Sequence, residues 1–321
     1  MIFSEQPKAQ VSSLGETKLI EHIREWLGDA SPHYPHGMGD DCAVLPLTSA
    51  QQIITTDSLT YGQHVDSKVS AKNAGAKLIK RNLSDIAAMG GTPKHAVLAL
   101  LCGPDVSIDW LQEFFIGVRE TCLKYSLQLV GGDISSLPKG NFSSVLTLVG
   151  QTENPKLRKS AKVGDLLYVT GTLGGSILQK HYAFTPRLAE GQWIATHPAC
   201  TALMDLTDGL GKDLNALLPQ DSSALIELAQ LPISEDAYTL SKQSGHPPER
   251  HAFCDGEDYE LLLSVDAYSA ADFESAWQQQ FPKLELTRIG TINEAQRKGR
   301  MIDAQSNTAL EWQHGFEHLS E

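Results

Sequence analysis

Aspartates recur in this chain where apolar, strand-like runs meet glycine or threonine. They stand in His36-Gly37-Met38-Gly39-Asp40-Asp41-Cys42-Ala43-Val44-Leu45, in Thr55-Thr56-Asp57-Ser58, in Gly131-Gly132-Asp133 and in Asp205-Leu206-Thr207-Asp208-Gly209. Asp85 sits on a helical stretch that stops at Gly90-Gly91-Thr92-Pro93. In α/β folds, side chains at strand ends converge on one crevice, where ligands bind. Massed carboxylates are costly unless cations neutralise them, and hard oxygen ligands suit Mg²⁺ better than zinc. Any one aspartate alone reads better as a cap or turn residue. Together the placements point to a multi-metal site. Asp40 is open between a second ligand and a residue that shapes the turn.

The hydrophobic periodicity predicts an amphipathic helix over Gly15 to Leu27, with Leu19, Ile20, Ile23, Trp26 and Leu27 inward. Strands follow at Cys42–Leu47 and Gln52–Thr56, then a helix over Val69 to Met89 and a strand at His95–Cys102. A helix is expected over Asp109 to Tyr125, a short strand at Leu127–Val130 and another at Ser143–Gly150. Strands alternating with long helices indicate an α/β or α+β fold. The polar segment Gln151 to Val163, with Pro155 and several basic residues, reads as a join between domains at 1–152 and 153–321. Past the join, strands are expected at Leu166–Thr170, Ala202–Leu206, Ala224–Leu228 and Leu261–Val265, with helices at Gly211–Leu218 and Ala267–Gln280. A length of 321 residues, 41% of them hydrophobic, supports a core in each domain.

Charge narrows the partners. A formal net charge of -13 disfavours nucleic acid and anionic membrane. No apolar run approaches membrane-spanning length. The five cysteines are widely spaced without CxxC, so neither a disulfide framework nor a zinc site is indicated. Met1 to Gln6 lacks the basic start and apolar core of a signal peptide, and a reducing cytoplasm is the expected location.

Several chemistries find no signature. There is no GxxxxGK(S/T), no GxGxxG after a strand, no GxSxG and no SxxK. Gly171-Thr172-Leu173-Gly174-Gly175-Ser176 follows a strand and reads as a plain turn or as backbone N–H groups offered to phosphate. Arg158 and Arg187 are candidate phosphate contacts. Asp255-Gly256-Glu257-Asp258-Tyr259-Glu260 reads either as a solvated charge run or as a ligand-facing loop. The missing nucleophile is compatible with phosphoryl transfer, where positioning and charge neutralisation do most of the chemistry.

In order along almost the whole chain, six runs resemble the thiamine-monophosphate kinase family, within the superfamily that includes aminoimidazole ribonucleotide synthetase. They are Gly39-Asp40-Asp41-Cys42-Ala43-Val44-Leu45, Thr55-Thr56-Asp57-Ser58-Leu59 with Gly62 and His64, Asn82-Leu83-Ser84-Asp85-Ile86-Ala87-Ala88-Met89-Gly90, Gly131-Gly132-Asp133, Asp205-Leu206-Thr207-Asp208-Gly209-Leu210 and Gly256-Glu257-Asp258-Tyr259-Glu260-Leu261. The resemblance implies ATP-dependent transfer of a phosphoryl group to thiamine monophosphate, giving thiamine diphosphate. It implies that Asp41, Thr55, Thr56, Asp57, Asp85, Asp133 and Asp205 hold several Mg²⁺ ions and that Asp208 holds a further one. Gly132, Asp133, Arg158 and Thr207 would contact ATP, and His64, Glu257 and Phe316 the thiamine substrate. An oxygen of the acceptor phosphate would itself be the nucleophile. The implied fold is a two-domain aminoimidazole ribonucleotide synthetase-like α/β fold. Its N-terminal sheet pairs with that of a second subunit in a homodimer, and the active site lies between the domains.

The chain departs from the family pattern in places. The region from Gly174 to Pro198 is short, and an Arg-Pro-x-Pro-Arg run is reduced to Thr185-Pro186-Arg187. Lys77, Lys80 and Arg81 make the helix before Asn82 more basic. Asp255 replaces the first glycine of a Gly-Gly-Glu-Asp run. Sister enzymes fit less well. A selenophosphate synthetase calls for an N-terminal reactive Cys, and the first 35 residues have none. The hydrogenase-maturation member ends in a functional Cys, whereas this chain ends Leu319-Ser320-Glu321. Aminoimidazole ribonucleotide synthetase lacks the Gly-Glu-Asp-Tyr-Glu-Leu run in this form. A non-catalytic nucleotide sensor on the same fold would have lost metal aspartates.

Overall fold

The computed structural model describes residues 1–14, 16–33, 36, 50–296 and 299–316. Asp40, Asp41 and the strand expected at Cys42–Leu47 lie outside the described residues. The chain divides into two compact units, Met1–Ile86 with Thr92–Glu153, and Ala87–Gly91 with Asn154–Glu321.

The first unit runs α1 (Glu16–Leu27), β1 (Gln51–Thr60), α2 (Ala71–Ala88), β2 (Thr92–Cys102), α3 (Ile108–Lys124), β3 (Gln128–Ser136) and β4 (Phe142–Thr152). Its sheet has the order β1-β4-β2-β3. β4 is antiparallel to both neighbours, while β2 and β3 are parallel and joined through α3, as a crossover requires. β4 alternates buried and half-buried residues with a period of two, so one face is packed and the other is not. On the packed face Phe142 meets Trp110 and Phe114 of α3, with ring centroids 4.9 and 5.4 Å apart. The other face leaves Ile54 71% and Val97 42% exposed.

α2 and α3 touch backbone to backbone at two glycines. A Cβ on Gly75 would lie 2.0 Å from the Phe114 carbonyl oxygen, and one on Gly117 would lie 1.9 Å from that of Lys72. Only glycine fits at either position.

β1 and β3 are longer than the sequence predicts. Asp57 is not at a strand end: it pairs with Leu146 in mid-ladder. β3 continues through Gly132 and Asp133, which pair with Leu98 and Ala99. The apolar signal fades at Thr, Ser and Gly, but the eleven-residue β4 and β2 offer backbone partners well past that point.

The second unit contains β5 (Leu166–Thr170), α4 (Lys180–Ala183), α5 (Leu188–Thr196), β6 (Cys200–Asp205), α6 (Leu210–Leu217), β7 (Ser222–Ile226), α7 (Glu235–Ser244), α8 (Pro248–Cys254), β8 (Leu261–Val265), α9 (Ala270–Gln280), β9 (Leu286–Glu294) and β10 (Met301–Asp303). Its six-stranded sheet has the order β10-β7-β9-β5-β8-β6, antiparallel except for β7 and β10. All five residues of β8 are buried. Leu262 joins the core with Leu210 and Leu214 of α6 and Phe253 of α8, and on α9 Phe273 meets Tyr168 of β5 at 6.3 Å. The end of α6 is closed by Arg300, whose Nη1 donates to the carbonyls of Pro219 (2.7 Å), Gln220 (2.7 Å) and Ser222 (3.0 Å).

Candidate active site

In the first unit, α2 presents one polar stripe to β1. Lys77, Arg81 and Asp85 follow at i, i+4 and i+8, which places them on one helix face. The fully buried Lys77 donates through Nζ to the His64 carbonyl at 2.8 Å, and His64 Nδ1 accepts from the Thr60 N–H at 3.0 Å. Arg81 Nη2 lies 3.5 Å from Asp57 Oδ1, and its Nη1 donates to the Ser58 carbonyl. Thr55 Oγ1 donates to Asp85 Oδ2. The stripe therefore brings Thr55 to Asp85 and Arg81 to Asp57, and holds His64 about two helical turns away, at Lys77.

Thr56 alternates to the other face. Its hydroxyl donates to the Leu146 carbonyl and accepts from Thr147 Oγ1, both at 3.1 Å. Asp133 lies on β3, at the opposite edge of the sheet from β1, in register with Ala99, Val145 and Ser58. Three strand spacings amount to about 14 Å, so one chain's sheet holds Asp133 apart from Asp57. Ser135 Oγ donates to Asp133 at 2.9 Å. Gly132 is sterically required, because its Cβ would stand 2.0 Å from the Leu98 carbonyl oxygen.

In the second unit, β6 ends at the buried Asp205, and the chain beyond it pairs with the acidic loop. Leu206 N donates to the Glu260 carbonyl (2.9 Å), Tyr259 N to Leu206 (2.8 Å) and Glu257 N to Thr207 (2.8 Å). Glu257 and Tyr259 hold left-handed φ values of +54° and +52°. Such strain costs about 1–3 kcal/mol per residue and collects at functional sites. Glu257 is fixed by Tyr259 OH (3.0 Å) and His181 Nδ1 (3.6 Å), and the Tyr259 ring stacks on Phe184 at 3.9 Å. Phe316 N donates to the Asp208 carbonyl at 2.9 Å, and its side chain is 45% exposed. Lys212 Nζ reaches Asp208 Oδ2 at 2.9 Å and the Phe316 carbonyl at 2.8 Å. Asp205, Thr207, Asp208, Glu257 and Phe316 are thus neighbours. Arg158 stands exposed on a short turn that lies against β6 and α6.

The acidic run is not solvated. Asp258 is 0% and Glu260 2% exposed. Glu260 takes both teeth of Arg187, Lys180 Nζ at 2.9 Å and Thr170 Oγ1 at 2.8 Å. Asp258 accepts the Gly174 N–H at 2.9 Å, and Asp255 accepts that of Gly175 at 3.1 Å while pairing with His251 at 3.0 Å. Burial pushes the Asp258 carboxyl up to about 7, against the pull of Lys180. The glycine turn therefore spends these two N–H groups on the protein's own carboxylates rather than on a phosphate, and Arg187 is engaged by Glu260.

One residue went unread in the sequence. Asp213, in the first turn of α6, accepts the N–H groups of Thr207 (2.9 Å) and Asp208 (3.0 Å) on a single oxygen. Burial pushes its carboxyl up to about 7; the Asp208 N–H pulls it down, and the charges of Asp205 and Asp208 push it further up. The available signal was an acidic residue at the start of a helix just after Asp-Gly.

The chemistry of these side chains is that of hard oxygen donors. Asp57, Asp85 and Thr55 in one unit, and Asp205 and Asp208 in the other, fit Mg²⁺ and not a soft metal. Among the described residues no group of three or more His, Cys, Asp or Glu is close enough to hold a metal alone.

Residues 39–152 match the family model described as AIR synthase related protein, N-terminal domain. Thiamine-monophosphate kinase of Rhodopirellula baltica is 36% identical over 272 residues, covering 81% of this chain and 84% of the relative. The chain belongs to the thiamine-monophosphate kinase family. The thiamine-monophosphate kinase of Stenotrophomonas maltophilia K279a superposes with a TM-score of 0.72 at 28% identity, covering 92% of this chain and 96% of that one. Another family structure, AaThiL complexed with AMPPCP and TMP, gives a TM-score of 0.70 at 28% identity, covering 94% and 96%.

Proposed function

We propose that this thiamine-monophosphate kinase family member transfers the γ-phosphoryl group of ATP to thiamine monophosphate in a Mg²⁺-dependent reaction, releasing ADP and thiamine diphosphate. The observation that carries the reading is the stripe of α2 against β1, where Thr55, Asp57 and Asp85 gather hard oxygens. Mg²⁺, when bound, would neutralise the phosphate oxygens and hold them in line.

Several Mg²⁺ ions are expected: Asp57, Asp85 and Thr55 would be ligands in the first unit and Asp205 in the second, with Asp208 holding a further ion and Asp41, Thr56 and Asp133 as further ligands. Thr207, Gly132, Asp133 and Arg158 would position the nucleotide. Arg158 brings a permanent charge and Thr207 a hydroxyl. Glu257, held by Tyr259 and His181, would contact the positively charged thiamine, as would the exposed ring of Phe316 and, from the first unit, His64. A phosphate oxygen is already ionised at neutral pH, so the attack needs no protein base.

A homodimer fits the geometry of the sheet. Among the described residues β3 ends the sheet, and a strand edge of that kind invites a second chain. Residues 1–152 would then be the metal, nucleotide and dimerisation domain, and 153–321 the second α/β domain. Among the described residues no helix is long and apolar enough to cross a membrane, and a cytoplasmic location is proposed.

The test is direct. Purified protein is incubated with ATP, Mg²⁺ and thiamine monophosphate, and thiamine diphosphate is followed by chromatography. Mg²⁺-dependent product is expected, and its absence would overturn the reading. Sedimentation velocity reads the dimer.

A further inference from the structure

The backbone that carries Thr207 and Asp208 is set by a residue that lies outside every motif above. We propose that Asp213 is a positioning residue of the phosphoryl-transfer site, acting through the two main-chain N–H groups that it accepts. The inference rests on the kinase reading and deepens it.

Thr207 and Asp208 lie between the end of β6 and the start of α6, where no helix or strand ladder fixes the chain. Their N–H groups converge on one oxygen, Asp213 Oδ2, at 2.9 and 3.0 Å. Asp213 is 4% exposed, so both bonds are shielded from water. The same residue donates its own N–H to the Gly209 carbonyl at 3.0 Å, which ties loop and helix in both directions. Gly209 makes this reversal possible. It holds φ +101°, and a Cβ there would lie 2.5 Å from the Phe253 carbonyl oxygen.

Asp208 is then held at three points: its N–H by Asp213, its carbonyl by the Phe316 N–H and its carboxylate by Lys212. What the site takes from Asp213 is one buried oxygen aimed at both N–H groups. Fixing Thr207 and Asp208 before ligands arrive removes an ordering cost from nucleotide and metal binding.

The experiment compares wild type, Asp213→Asn and Asp213→Ala by steady-state kinetics with ATP, Mg²⁺ and thiamine monophosphate. Melting temperatures are measured in parallel. Asn keeps an oxygen where both N–H groups point, so D213N is expected to stay within roughly threefold of wild type in KM for ATP and in the Mg²⁺ activation constant. D213A leaves both donors unmet and is expected to raise those two constants by roughly tenfold or more, with a smaller change in KM for thiamine monophosphate. A D213A enzyme that melts lower but keeps wild-type constants would show a purely structural role and overturn the proposal. So would a D213N enzyme as impaired as D213A. Should D213A fail to fold, D213E decides: it moves the carboxylate by one methylene, and unchanged constants in it overturn the proposal. Absence of Mg²⁺-dependent product in the wild type is a separate outcome, which removes the kinase reading and this inference with it.

Discussion

Arg187 grips Glu260 with two parallel bonds, Nε to Oε2 at 2.7 Å and Nη2 to Oε1 at 2.8 Å. The two residues are 73 positions apart, and the pair joins the chain ahead of α5 to the end of the acidic loop. Glu260 is nearly sealed from solvent, so it depends on its cationic partners. Arg187→Ala is expected to destabilise the protein by about 3 kcal/mol in urea unfolding, since it leaves the buried Glu260 with Lys180 but without its two-toothed partner. Arg187→Lys should recover only part of that, because an ammonium cannot make the two-toothed contact. A full recovery by Lys would show that charge alone matters.

Asp57→Asn keeps the side-chain size and takes away a charged oxygen ligand. Turnover of thiamine monophosphate is expected to fall by at least about a hundredfold, with an unchanged far-ultraviolet circular dichroism spectrum. Activity near that of the wild type would remove Asp57 from the metal site.

Asp258 gives the protein a pH dependence of unusual sign. Its carboxyl is raised from 3.8 to about 7 by burial, so the folded chain binds that proton more tightly than the unfolded chain does. The stability this supplies is full below about pH 4 and is lost as pH rises through about 7. Asp258→Asn retains the acceptor for the Gly174 N–H and removes the titration. Relative to wild type, the variant should gain stability between pH 5 and pH 8, read as melting temperatures at several pH values. A constant difference across that range would contradict the assignment.

Gly131 and Gly132 look alike in sequence and differ sharply in place. A Cβ on Gly132 would collide with the Leu98 backbone at 2.0 Å, while one on Gly131 would meet only Val97 Cγ1 at an ordinary 3.6 Å. Gly132→Ala should cost about 3 kcal/mol in urea unfolding, and Gly131→Ala within about 0.5 kcal/mol of zero. Equal effects would refute the steric account.

Much of this was legible from local pattern. Helices α1, α2 and α3 and strands β2, β4, β5 and β8 carry strong periodicity and appear where the sequence predicts them, within a few residues at the ends. Helix α7 was not, because Ala237 is its only buried residue and Leu240 the one large apolar side chain on the same face, too little for a readable period. Strand β9 hides behind Arg288 and Gly290. The site separates along the same line. Thr55, Asp57 and Asp85 were marked by their neighbours in sequence. The burial of Asp258 and Glu260 was not, since the cations that permit it come from Lys180 and Arg187, some seventy to eighty residues earlier. Register was also invisible: only the strand order reveals that Asp133 and Asp57 occupy opposite edges.

The crossing of α2 and α3 carries a consequence for how this chain can diverge. Gly75 and Gly117 let two backbones touch, and α2 is the same helix that delivers Arg81 and Asp85 to β1. A methyl group at either glycine would wedge the helices apart and swing Asp85 away from Thr55. The two positions are therefore under the same constraint as the carboxylate they never touch. In any descendant that keeps Asp85 at work, a new side chain at one of them must be matched by rebuilding along the whole helical contact.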